Sequence, residues 1–93
     1  MTANAGRSAR FDFFSDPSHG WLRVPRPVID AMGIAPSAYS FHHLGWAYLE
    51  EDCDATRFLD AWKSAHGCMP TIIDRIPCRE DSHIRRYARF EEV

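Results

Sequence analysis

Trp46-Ala47-Tyr48-Leu49-Glu50-Glu51-Asp52-Cys53-Asp54-Ala55-Thr56-Arg57-Phe58-Leu59-Asp60-Ala61-Trp62-Lys63-Ser64-Ala65-His66-Gly67 decides the fold. Trp46 to Leu49 read as a strand, because aromatic residues suit a pleated, half-buried surface. Glu50, Glu51, Asp52 and Asp54 put four carboxylates in five residues. They would repel one another inside a helix, but at its N-terminus they meet unpaired N–H groups and the positive end of the macrodipole. Asp52 or Asp54 is the expected N-cap. Ala55, Phe58, Leu59 and Trp62 then recur at helical spacing as one apolar stripe. Asp60, Lys63 and Ser64 point away from it, and Gly67 is placed to end the helix in a left-handed conformation.

Outward from this unit, Arg10 to Phe14 alternates as a strand with Phe11 and Phe13 on one face. Asp16-Pro17-Ser18-His19-Gly20 is dense in turn formers, and Trp21 to Val24 returns as the second strand of a hairpin. Pro25 and Pro27 stop it and open a short helix lined by Val28, Ile29 and Met32 and closed by Gly33. Ser37 to Phe41 is the expected third strand, with His42-His43-Leu44-Gly45 as a tight connection. Met69 to Ile76 reads as a fifth strand and Pro77 to His83 as a polar loop. Ile84 to Phe90 fits either period two or period 3.6, with Asp81 or Ser82 available as a cap in the helical case; a strand is the preferred reading.

The order β-β-α-β-β-α-β-β predicts an α+β domain: a mostly antiparallel sheet of five to six strands with two helices on one face. The other face, rich in aromatic positions, is expected to be partly open or covered by a partner. Residues 1–9 read as a flexible arm and 10–93 as a single domain.

The chain has 93 residues, of which 45% are hydrophobic and 13% aromatic, enough for one modest core. A formal net charge of -2 announces neither a nucleic-acid binder nor an acidic DNA mimic. No apolar run approaches the roughly 20 residues of a membrane span. Residues 1–10 lack the apolar core of a secretory signal. Three cysteines, Cys53, Cys68 and Cys78, are an odd number without framework spacing. These features predict a cytoplasmic protein with free thiols.

Two charge blocks are the candidate binding residues. The first is the acidic turn, Glu50, Glu51, Asp52 and Asp54. It lacks the glycine and the spacing of a calcium loop, so helix capping and contact with a basic partner are its expected uses. The second is basic: five of the eleven Lys and Arg residues lie in the last nineteen positions, with Arg85, Arg86 and Arg89 set around Tyr87. Arginines beside aromatics serve single-stranded nucleic acid, and they also guard edge strands against aggregation. His66-x-Cys68 and Cys78-x4-His83 have zinc-compatible ligand types without knuckle spacing, so no metal or cofactor is expected. Cysteine nucleophiles need a base brought beside them in space, which no spacing here encodes.

Three segments resemble a family of short proteins encoded by phages, plasmids and other mobile elements. They are Asp16-Pro17-Ser18-His19-Gly20-Trp21-Leu22-Arg23-Val24-Pro25-Arg26, then Tyr48-Leu49-Glu50-Glu51-Asp52-Cys53-Asp54-Ala55 with Phe58-Leu59, then Ile84-Arg85-Arg86-Tyr87-Ala88-Arg89-Phe90. Pro27 and the His42-His43 turn depart from that pattern. The resemblance implies an accessory protein of a mobile element and carries over no catalytic residue. The expected function is non-enzymatic: steric inhibition of a host defence protein or ribonucleoprotein, most concretely a CRISPR effector, by a monomer or homodimer in a bacterial cytoplasm. A small nucleic-acid-binding protein using the basic C-terminal strand is the alternative.

Overall fold

A computed structural model describes residues 9–90. The arm expected over 1–9 therefore lies, apart from Ala9, outside the described residues. The elements follow the order β1 (Arg10–Ser15), β2 (Gly20–Pro25), α1 (Arg26–Ala31), β3 (Phe41–His43), β4 (Trp46–Glu50), α2 (Asp54–His66), β5 (Thr71–Asp74), a 3-10 turn (His83–Arg86) and β6 (Ala88–Arg89). The six strands form one sheet in the order β5-β1-β2-β4-β3-β6, and the class is α+β. All neighbours are antiparallel except β1 and β5, which pair in parallel with Phe11 opposite Ile72 and Phe13 opposite Asp74.

Strand alternation sorts the side chains onto two faces. Phe11, Leu22, Val24, Ala47 and Leu49 pack with Ile29 of α1 and with Ala55, Phe58 and Trp62 of α2. Complete burial of a side chain such as Phe58 stabilises by about 2 kcal/mol relative to exposure. Phe11 meets both Phe58 and Trp62 edge-on, at centroid distances of 5.3 and 5.4 Å. On the opposite face Trp21, Phe41, Tyr48 and Ile84 form a second core, with Phe14 and Tyr87 against it.

Several expectations are corrected. The third strand starts at Phe41, because residues Ala38 to Ser40 turn; His42 and His43 belong to that strand, and Leu44-Gly45 makes the connection. Both connecting residues have positive φ, 49° at Leu44 and 84° at Gly45. Ile84 to Phe90 is not one strand. Residues His83–Arg86 wind as a 3-10 turn capped by Ser82, whose hydroxyl accepts the Ile84 N–H, and only Ala88–Arg89 pair with β3. This turn drives Ile84 into the aromatic face, so the chain itself covers part of the face expected to be open. The helix α2 ends at Gly67 with φ 77°, but neither Asp52 nor Asp54 caps its start: Cys53 holds the N-cap position without a side-chain bond.

Gly20 lets the Phe13 ring lie against the β2 backbone. A Cβ there would lie 2.2 Å from the Phe13 ring and 3.1 Å from Glu51 Oε2.

Candidate binding site

A cavity of about 370 Å³ opens on the aromatic face, with Trp21, Phe41, Tyr39 and His19 among its walls. Glu50, Asp52 and Cys53 border it from the β4–α2 junction, and Arg85 and Arg89 from the C-terminal segment. Glu50 and Asp52 of the acidic block and Arg85 and Arg89 of the basic one, about 35 positions apart in the sequence, thus share one rim.

The basic side of that rim is fixed by one buried acid. Asp16 lies in the β1–β2 turn with its carboxylate fully buried. Arg85 grips it with two bonds, Nε to Oδ2 at 2.7 Å and Nη2 to Oδ1 at 2.9 Å. The Ser82 N–H donates to Oδ2 at 2.9 Å, and the Ser18 and His19 N–H groups donate to Oδ1 at 3.0 Å. The Arg85 guanidinium holds the Asp16 carboxyl well below the usual carboxylate range; burial opposes this in part, and the three backbone donors reinforce it. Asp16 in turn raises the Arg85 pKa. Arg85 also lies over the Trp21 ring, 5.4 Å from its centroid. Arg89 is set differently: its Nη1 donates to the Ala38 carbonyl at 2.9 Å and its guanidinium covers Phe41 at 4.8 Å. Among the described residues Arg89 has no carboxylate partner.

The acidic block is divided. Glu50 and Asp52 reach this cavity, and the Asp52 N–H donates to Glu50 Oε2 at 3.1 Å. Glu51 instead lines a second cavity, on the helix-covered face. Asp54 is fully buried and offers a partner no surface. It accepts from the Ser37 N–H at 2.9 Å, the Ser37 hydroxyl at 2.7 Å, the Ser40 hydroxyl and Arg57 Nη1 at 3.0 Å. Ser40 also accepts the Glu50 N–H at 3.0 Å, so this carboxylate ties the β3 approach to the end of β4 and the start of α2.

Of the remaining residues singled out in the sequence, Arg86 is exposed and Tyr87 half-buried. Tyr87 stacks on His43, with centroids 4.2 Å apart and rings 5° from parallel. Burial pushes its phenol pKa up, with Tyr48 adding to the effect. Tyr87 is therefore part of the aromatic packing. Sequence reading missed His19, Trp21, Tyr39 and Phe41 as walls and Asp16 as the anchor. Asp16-Pro17-Ser18 carries the signal of an Asx turn, but its bond to Arg85 spans 69 positions and has no local signature.

Among the described residues no group of three or more His, Cys, Asp or Glu is placed to hold a metal ion. Cys53 and Cys78 are exposed and Cys68 half-buried, all as free thiols. No helix of the described residues is long and apolar enough to cross a membrane. Comparison of the chain with protein-family models, curated proteins and solved structures finds no match.

Proposed function

We propose that this chain is a non-enzymatic protein of phage or mobile-element origin that binds and sterically inhibits a host defence complex, with anti-CRISPR action as its most concrete form. One observation supports the binding role: the cavity on the aromatic face joins an acidic edge, a basic edge and aromatic walls on a rigid sheet. Such a surface gives charge complementarity at the rim, with Tyr39, 66% exposed, as an aromatic side chain that a partner can bury. The defence target comes from the resemblance of the three segments to mobile-element proteins. A nucleic-acid role draws less support. Asp16 neutralises Arg85, Phe41 and Ala38 hold Arg89 in place, and Glu50 and Asp52 line the same cavity as the two arginines, where they would repel phosphate.

The test is phage plating on bacteria with active CRISPR immunity, with and without the expressed chain. Restored plating, lost on reversing Glu50 and Asp52 to Lys, is the expected result. Unaltered immunity across CRISPR and restriction systems would contradict the proposal.

A further inference from the structure

The second cavity lies on the helix-covered face, beside the sheet's β5 edge. Its volume is about 270 Å³; Phe13, Leu59 and Ile72 are among its apolar walls, and Glu51 and Asp74 supply carboxylates. Neither carboxylate is ion-paired among the described residues. Among the described residues the strand that borders it has no neighbour on its outer side, because β5 ends the sheet. The Thr71 and Arg75 N–H groups donate inward, to Ala9 and Phe13 of the β1 segment. By alternation the N–H and C=O groups of Ile72 and Asp74 face outward. The two residues whose backbone is open thus also place their side chains in the cavity. Met69 and Ile76, exposed at 46% and 93%, flank the same edge.

We propose that β5 and this cavity form a docking site for an extended segment of a partner protein that carries Arg or Lys at alternate positions. The segment adds a strand to β5 through Ile72 and Asp74. Its long side chains lay their aliphatic stems along Ile72 and present their charges to Asp74, and Glu51 adds a negative field from the far wall of the cavity. A second copy of this chain is a poorer occupant, since its own β5 would bring another Glu51 and Asp74 beside the first pair. The site lies across the sheet from the aromatic-face cavity and is independent of it.

The experiment is a fluorescence-anisotropy titration of the whole chain with a labelled synthetic peptide alternating valine and arginine, against one alternating valine and glutamate. The arginine peptide is expected to bind and the glutamate peptide to fail. Hydrogen exchange should slow at the Ile72 and Asp74 N–H groups on binding. Glu51→Lys should weaken binding by about fivefold or more at low ionic strength. Asp74→Pro removes an outward N–H that no internal bond uses, and should abolish both binding and the added protection. Far-UV circular dichroism establishes that both variants remain folded, and Glu51→Lys alone suffices if Asp74→Pro does not. Equal binding of the two peptides, no binding of either, exchange protection elsewhere, or a self-association removed by Asp74→Pro would each overturn the proposal.

Discussion

Glu50 and Glu51 are adjacent in the chain and line cavities on opposite faces of the sheet. The chain leaves β4 between them: Glu50 is the last strand residue, and Glu51 is the first residue of the turn closed by the Cys53 N–H on the Glu50 carbonyl. The acidic block is thus two surfaces and a buried anchor. Glu50→Lys should weaken capture of the inhibited complex by about tenfold, while Glu51→Lys leaves that capture unchanged. Surface plasmon resonance with the immobilised complex separates the two variants.

Removal of Asp16 should be the costliest single change on the aromatic face. Asp16→Asn removes the closer counter-charge of Arg85, which is 29% exposed and keeps only the exposed Asp81 at 3.9 Å, and weakens the tie to Ser82. The change should lower the urea midpoint at neutral pH.

The same residue sets an acid limb of stability. In the unfolded chain Asp16 takes up a proton near its ordinary pKa of 3.8, whereas in the fold Arg85 keeps it ionised to lower pH. Below that ordinary value the unfolded state binds more protons, so stability falls as pH drops. The stabilisation is fully present above about pH 5 and is lost progressively through the acid range. Urea midpoints measured from neutral to acid pH should show a steep decline in the native chain and a shallower one in Asp16→Asn.

Asp54 makes a parallel case on structural grounds. Asp54→Ala strands Ser37 and Ser40 around a buried gap and should cost about 3 kcal/mol, while the half-exposed Arg57 turns to solvent. Ser40→Ala removes one donor to Asp54 and leaves the Glu50 N–H without an acceptor; it should cost about 1 kcal/mol. Thermal unfolding of the two variants checks the order of these effects.

What the sequence makes legible is what local periodicity encodes. The apolar stripe of α2, the β1–β2 hairpin and the β4 strand all follow from spacings of two, three and four residues. The parallel pairing of β5 with β1 is not legible, since nothing in Thr71–Asp74 specifies a partner about 60 positions earlier. The C-terminal segment was ambiguous for a physical reason: Ile84 and Tyr87 fit a helical turn, and Ala88–Arg89 fit a strand. Glu50 and Arg89 were visible as charged candidates, but their meeting on one rim depends on the β2-β4-β3-β6 order, which only tertiary packing sets. Asp54 misled because a carboxylate at a helix start looks like a cap, while its bonds run to Ser37 and Ser40 across the fold.

The central claim is that the rim shared by Glu50, Asp52 and Arg89 grips a defence complex. Its most direct test is capture of the tagged chain from nuclease-treated lysate of a host with active CRISPR and restriction systems, beside a Glu50→Lys, Asp52→Lys double variant. Mass spectrometry should find a stoichiometric defence complex on the native chain and not on the variant. Recovery of no such complex, or equal recovery by both chains, would contradict the account.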